Sequence, residues 1–326
     1  MLSSRYFLIV NPGSKGGKSQ YKVDKILSLF KEKQLNFEYA ITKSLQDAYD
    51  LSVMANQNKF DVIVVVGGDG TINRVLNGFY DKDGNRISDA RFAVIYTGTS
   101  PDFCKSYNIP TRLNAAFDAI YQNKTRKILI GKILHCKKNN IKNVGCSIHD
   151  VSVSETEVDY FACCVNIGLG AATANMANSG IRKYLGDTAG TFISLISALI
   201  KYKPCDFEVE QNGEKRNIEK LFNLSAGITR FIASGIKVNH DLQQDDRLFY
   251  NLTIKKLNLL NLPKALYSVY SGKKIKNSNI INLSYCTSLS IKGNVNAAVE
   301  FDGDPYGFLP CKIELAKDEL EIILNF

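Results

Sequence analysis

No apolar run in this 326-residue sequence reaches the length of about 20 residues that a membrane-crossing helix needs. Its opening, Met1-Leu2-Ser3-Ser4-Arg5, leads into a strand-like pattern without a signal peptide, so the expectation is a cytoplasmic protein. Cysteine occurs eight times but never as Cys-x-x-Cys, and Cys163-Cys164 stand side by side in an apolar run, which reads as reduced core thiols. Histidine occurs three times, as His135, His149 and His240. None stands near a cysteine cluster or a Ser/Asp arrangement, which argues against a zinc site and against a triad hydrolase. Basic helices and a stacking series of aromatics are also missing. That speaks against nucleic acid as the partner, although the net charge is +9 and the pI about 9.0. The positive balance then suits phosphate-bearing ligands or an anionic membrane surface met peripherally, or it simply keeps the protein soluble.

What the sequence does contain is organised around Asp61-Val62-Ile63-Val64-Val65-Val66-Gly67-Gly68-Asp69-Gly70-Thr71-Ile72-Asn73. An uncharged β-branched run reads as a strand buried on both faces of a parallel sheet. It ends on Gly67, Gly68 and Gly70, which allow a sharp turn and close backbone approach, with Thr71 as the expected cap of a helix through Arg74, Val75, Leu76 and Phe79. Amides and a helix N-terminus meeting at a strand end form a phosphate site, and Asp69 among them could serve Mg²⁺ or a proton. The plainer alternative is a tight strand-to-helix turn in which Asp69 only caps the helix.

A chain of this length exceeds one hydrophobic core, so two domains are expected. The first, residues 1–126, alternates strands and helices: Arg5–Val10, a helix near Val23–Phe30, Phe37–Ile41, a helix over Gln46–Met54, the central strand, Phe92–Ile95 and a helix over Leu113–Tyr121. This predicts an α/β domain with a parallel sheet and helices on both faces, binding ligands at the carboxyl ends of the strands. The loop Asn11-Pro12-Gly13-Ser14-Lys15-Gly16-Gly17-Lys18-Ser19 follows the first strand in phosphate-cradle order, but it is one residue short of a P-loop. The second domain, residues 127–326, reads as mostly antiparallel β. Its expected strands are Ile128–Leu134, Phe161–Ile167, Phe207–Glu210, Phe222–Ile228 and Phe249–Ile254, with one apolar-striped helix over Thr188–Tyr202. The last strand, Leu320–Phe326, is expected to return to the first domain. Two acidic turns stand out, Asp245-Asp246-Arg247-Leu248 and Glu300-Phe301-Asp302-Gly303-Asp304, and Asp-Gly in the second is a strong hairpin signal.

Gly67-Gly68-Asp69-Gly70-Thr71, extended through Asn77-Gly78, resembles the signature of the diacylglycerol kinase catalytic family, which includes bacterial lipid kinases and sphingosine kinases. Asn11, Pro12 and Ser14 match the family's nucleotide loop, and Gly98, Thr99, Asp102 and Phe103 match its Gly-Thr-Gly-Asn-Asp-Phe motif. The resemblance implies an ATP-dependent, Mg²⁺-requiring lipid kinase acting on diacylglycerol or a related lipid alcohol. Nucleotide contacts would come from Asn11, Pro12, Ser14, Gly67, Gly68, Gly70, Thr71, Gly98 and Thr99, and metal contacts from Asp69 and Asp102. Asp302 would be the general base toward the lipid hydroxyl, supported by Asp304 and Asp69, while Gln243, Asp246 and Leu248 would hold a structural Mg²⁺. Peripheral contact with anionic membrane is implied as well, and a homodimer is left open. The sequence departs from the family at Arg74 (usually Glu), Ser100-Pro101, Leu129 (usually Asp), Arg247 (usually Gly) and Asp304 (usually Glu). Two alternatives follow: a kinase for a soluble acceptor, resembling NAD kinase, and a nucleotide- or lipid-binding regulator without turnover.

Overall fold

The computed structural model of the chain describes residues 4–12, 20–138, 145–176, 202–233, 236–257, 261, 264, 267, 271–293 and 297–324. Two compact units are present: Met1–Ile130 with Ala316–Phe326, and Gly131–Leu315. The first contains β1 (Arg5–Val10), α1 (Gln20–Glu32), β2 (Asn36–Ile41), α2 (Leu45–Gln57), β3 (Val62–Gly67), α3 (Asp69–Asn77), β4 (Arg91–Tyr96), α4 (Asp102–Ser106), α5 (Leu113–Gln122) and β5 (Thr125–Ile128). The second contains β6 (Gly131–Cys136), β7 (Thr156–Phe161), β8 (Cys164–Gly168), α6 (Leu169–Met176), β9 (Cys205–Gln211), β10 (Glu214–Gly227) and β11 (Phe231–Ala233). It continues with β12 (Ile236–Lys237), β13 (Phe249–Lys255), β14 (Ile281–Cys286), β15 (Ser288–Gly293), β16 (Ala298–Phe301) and β17 (Asp304–Leu315). The chain then re-enters the first unit as β18 (Leu320–Ile323).

The sheet of the first unit runs β2-β1-β3-β4-β18-β5, parallel throughout except for β5 against β18. β3 sits inside it with Val62, Ile63, Val64 and Val65 fully buried, the environment that its unbroken β-branched run needs. Val62, Val64 and Val66 share a core with Ile26 and Phe30 of α1 and Ala116, Phe117 and Ile120 of α5. On β4, Phe92 packs edge-on against Phe79 and Phe103, at 5.3 and 5.9 Å between ring centres. The chain goes from β1 outward to β2 and then crosses back to β3 on the other side of β1. That reversal opens a crevice beyond the carboxyl ends of β1 and β3, the place where open parallel sheets bind ligands. The Asn77-Gly78 extension has a packing reason: a Cβ on Gly78 would lie 2.5 Å from Ser52 Cβ, and Ser52 Oγ donates to Val75 O at 2.7 Å, joining α2 to α3.

All pairings in the main sheet of the second unit are antiparallel, and they close in a ring: β10, β8, β16, β17, β15, β9 and back to β10. Alternate residues fill its core, among them Val165 and Ile167, Phe207 and Val209, Leu224 and Ala226, Leu289 and Ile291, Val299 and Phe301, and Cys311 and Ile313. This is the barrel-like counterpart of the β domain expected from sequence. Two expected strands are in fact pairs. Ile128–Leu134 is broken between β5 and β6, and Phe161–Ile167 is broken at Ala162-Cys163, where the main chain turns to meet a carboxylate described below. The expected helix over Thr188–Tyr202 falls on residues outside those described, apart from Tyr202 itself. All eight cysteines are free thiols.

Candidate active site

At the mouth of the β1/β3 crevice, Asn11 leaves β1 and ties three elements together. Its N–H donates to Val66 O at 2.8 Å, and its side-chain amide donates to Thr71 Oγ1 at 2.7 Å. Thr71 is therefore not the cap that the sequence suggests. α3 starts at Asp69 with Gly68 as its cap residue, which puts Thr71 inside the first turn and leaves its hydroxyl nearly buried against Asn11. The glycines also act differently from expectation. Gly68 has φ −98° and ψ −175°, an extended conformation open to any residue. What it needs is room: a Cβ on Gly68 would stand 3.1 Å from Gly98 Cα, and one on Gly98 would stand 2.7 Å from Gly68 Cα. The two glycine turns thus lie backbone against backbone, and Thr97 N donates to Gly67 O at 2.9 Å beside them. Asn11, Gly67, Gly68, Gly98 and Thr71 are brought together; Pro12 follows Asn11 in the same turn, Gly70 lies within α3, Thr99 is exposed, and Ser14 lies outside the described residues.

Asp69, in the first turn of α3, is half-buried. Its Oδ2 accepts from Tyr96 Oη at 2.7 Å and its Oδ1 from Phe103 N at 3.3 Å, so one carboxylate links α3 to the start of α4. Tyr96 was not singled out in the sequence. A tyrosine ending a parallel strand just before a glycine turn is the signal that would have found it. Burial, reinforced by the Asp69 charge, pushes its hydroxyl well above the usual range and keeps it a donor; the same two causes raise the Cys104 thiol. Asp102 opens α4 and its charge also acts on Tyr96. The Ser100-Pro101 departure is accommodated because Pro101 occupies the cap position of α4, where its missing N–H costs nothing. Leu129, in place of the family's aspartate, is buried at 5% exposure.

In the second unit, Asp302 and Gly303 form the two-residue loop between β16 and β17, with Phe301 paired to Asp304 and φ of 51° and 100°. Two left-handed residues in a row are the backbone of a type I′ hairpin, as Asp-Gly predicts. The side chain of Asp302 does more than turn the chain. Its Oδ2 accepts from Ala162 N at 2.8 Å, and its Oδ1 from Cys163 N at 2.8 Å and Cys164 N at 3.2 Å. Three main-chain donors from the β7–β8 turn thus hold one ionised carboxylate. Asp304 is the first residue of β17. Next to this hairpin is a buried polar set that alternation alone hides: Glu300 at 4%, Asn166 at 5% and Ser225 at 1% exposure, side by side on β16, β8 and β10. Each stands between core-facing residues, so in sequence it reads as a solvent-facing position.

The loop with Gln243, Asp246 and Leu248 is a short 3-10 turn closed by Asp246, whose Oδ2 accepts from Gln243 N at 2.8 Å. Arg247, where the family has glycine, takes the left-handed conformation at φ 47°. No group of three or more His, Cys, Asp or Glu side chains suited to a metal occurs among the described residues. A magnesium ion that travels with nucleotide phosphates needs only one or two protein carboxylates; the two expected from sequence, Asp69 and Asp102, stand in the first turns of α3 and α4.

A doubly wound sheet with paired glycine turns at its switch point, followed by a closed antiparallel β unit, defines a two-part α/β-plus-β architecture. Comparison with known proteins makes this specific. Residues 5–133 match the diacylglycerol kinase catalytic domain, and residues 163–324 match the YegS C-terminal NAD kinase beta sandwich-like domain. Residues 5–133 thus form a diacylglycerol kinase catalytic domain, joined to the C-terminal domain of the same kind of protein, and the homologues of the whole chain carry the name diacylglycerol kinase. Among its curated relatives, a diacylglycerol kinase of Staphylococcus aureus is 27% identical over 315 residues, 95% of this chain and 89% of that one. A diacylglycerol kinase of Staphylococcus saprophyticus is 26% identical over 327 residues, covering 98% and 95%. A crystal structure of a diacylglycerol kinase from Bacillus anthracis superposes with a TM-score of 0.68 at 19% identity, covering 100% of this chain and 98% of the other. At that identity the structural likeness speaks to the fold alone. No helix among the described residues is long and apolar enough to cross a membrane.

Proposed function

We propose that this protein is an ATP-dependent lipid kinase that transfers the γ-phosphate to the hydroxyl of diacylglycerol or a closely related lipid alcohol. The observation that carries the reading is the junction of Asn11, Thr71 and the facing Gly68 and Gly98 turns at the sheet's switch point, in a chain of this family. Asn11 and the glycine turns cradle the nucleotide phosphates. Asp69, held in place by Tyr96 and Phe103 N, and Asp102 take the Mg²⁺ that would neutralise charge on the transferred phosphoryl group. Asp302 receives the proton of the acceptor hydroxyl. A carboxylate has about four acceptor sites, and three main-chain donors orient Asp302 for that task.

The same three donors support a second reading, a nucleotide- or lipid-binding protein without turnover, because a carboxylate so well satisfied is a weak base. Transfer of radiolabelled γ-phosphate to an extracted lipid mixture decides between them: labelled phosphatidic acid supports the kinase, and binding of ATP and lipid without labelling supports the silent reading. A net charge of +9 further proposes binding to anionic vesicles in preference to neutral ones, weakening as salt rises. Equal binding to both vesicle types would remove the membrane part of the proposal.

A further inference from the structure

The buried polar row beside the Asp302 hairpin forms a continuous chain of hydrogen bonds within the second unit. Gly170 N, in the first turn of α6, donates to Asn223 Oδ1 at 2.7 Å; Asn223 Nδ2 donates to Ser225 Oγ at 2.8 Å; Ser225 Oγ donates to Asn166 Oδ1 at 2.5 Å. Asn166 Nδ2 donates to Glu300 Oε2 at 2.6 Å, and Glu300 Oε1 accepts from Gly303 N at 2.5 Å. The second amide hydrogen of Asn166 reaches Cys164 Sγ at 3.5 Å. α6 packs on β8, β10 and β16, the strands that carry the row. Gly170 is fitted to its end of the chain, since a Cβ there would lie 2.9 Å from both Asn166 Cβ and Asn223 Oδ1.

The polarity of this chain follows from its two ends. Both are main-chain N–H groups, which can only donate. Asparagine and serine each pass one donor onward for one acceptor used, so a chain with donors at both ends closes only if one member accepts twice. That member is Glu300, as an ionised carboxylate. We infer that Glu300 is a positioning residue: as the single double acceptor of a relay from α6 to the hairpin, it fixes Gly303 N and with it the adjacent Asp302. The inference rests on the base role proposed for Asp302 in its catalytic part and on geometry alone in its structural part. The charge can sit elsewhere in the chain, provided that one double acceptor remains.

Substitution by near-isosteres tests this. Glu300→Gln keeps the shape but gives the chain one more donor and one acceptor fewer, so that one donor in the row loses its partner. The expected result is a kcat at least about tenfold lower, with KM for ATP within about twofold, and a melting temperature several degrees lower. Asn166→Asp alone sets two carboxylates against each other and also loses stability. Glu300→Gln/Asn166→Asp moves the charge one position and restores the chain, so it recovers most of both losses. Glu300→Gln/Asn223→Asp places the charge at the α6 end, reverses the members between, and recovers stability at a distance from the substitution. Should Glu300→Gln fail to fold, soluble and cooperative melting of the two double variants carries the same support. Additive losses in both double variants, or a Glu300→Gln protein indistinguishable from wild type, overturn the relay. Recovery of stability without recovery of kcat overturns the positioning of Asp302. A wild-type protein that labels no lipid refutes the kinase reading instead, while the melting cycle still decides the relay.

Discussion

Asp302→Asn is the substitution whose outcome the structure constrains most closely. An asparagine at this position keeps one acceptor oxygen, enough for Cys163 N and Cys164 N, but turns an NH₂ toward Ala162 N. Ala162 is 1% exposed, so water does not replace the bond that its N–H makes to Asp302 Oδ2. Losing that buried bond costs about 1–3 kcal/mol, and losing the negative charge from the other two bonds adds on the order of 1 kcal/mol. We therefore expect Asp302→Asn to lower unfolding free energy by about 2–4 kcal/mol in urea titrations. In radiolabelled transfer at saturating ATP and well below the melting midpoint, it should lower the rate by about 10²-fold or more, the usual worth of a positioned base. ATP affinity, measured separately, should stay within about twofold of wild type. A variant with wild-type stability would refute the three-donor clamp, and one with transfer within a few-fold of wild type would refute the base.

Asp69→Ala should abolish measurable transfer and also cost about 1–3 kcal/mol in chemical denaturation, because Tyr96 Oη and Phe103 N lose their acceptor; unchanged stability would show that the carboxylate does not hold α4. Gly98→Ala sets a methyl 2.7 Å from Gly68 Cα, so nucleotide binding should weaken at least about tenfold by calorimetry with a stability loss of about 1–3 kcal/mol, and wild-type affinity would deny the backbone contact its role. His240, 5% exposed with the positive charge of Arg230 adding to the effect of burial, has its pKa pushed down to about 4. The unfolded chain therefore binds a proton that the fold refuses as pH falls from 6.5 toward 4, and stability that is full above 6.5 is lost through that window. His240→Phe should flatten this pH dependence by about 2–3 kcal/mol, and parallel wild-type and variant curves would count against the assignment.

The residues that carried the most information in the sequence were those whose chemistry is local. Val62–Val66 announces a strand buried on both faces, and Asp302-Gly303 announces a two-residue hairpin, because backbone preference and turn chemistry act over a few neighbours. Asn11 and Gly98 were found through their resemblance to the family's motifs, while their reason for being together is the sheet order that sets β1 beside β3 and β3 beside β4. Where long-range contact decides, the sequence was silent. Ala162-Cys163 looks like the middle of an apolar strand until a carboxylate from the far end of the chain takes its amides. Glu300, Asn166 and Ser225 hold the outward positions of an alternating pattern, and α6, packed on their strands, helps to make that face an interior. Tyr96 likewise reads as the last residue of a strand, with nothing nearby in the chain to pair it with Asp69.

β18 gives the protein an order of assembly. It pairs with β4 on one side and β5 on the other, with Leu320 and Ile322 fully buried, and the loop before it is bound to Gly84 and Tyr80 through Lys317 N, Asp318 N and Asp318 O. A ribosome making this chain releases residues up to Ile130 and then spends roughly ten to forty seconds on the second unit before the strand that completes the first sheet appears. Through that interval β4 offers a bare edge and β5 has no partner strand. The first unit is thus the first to begin folding and the last to finish, and a ribosome that stalls within the second unit leaves an open sheet edge for chaperones to guard.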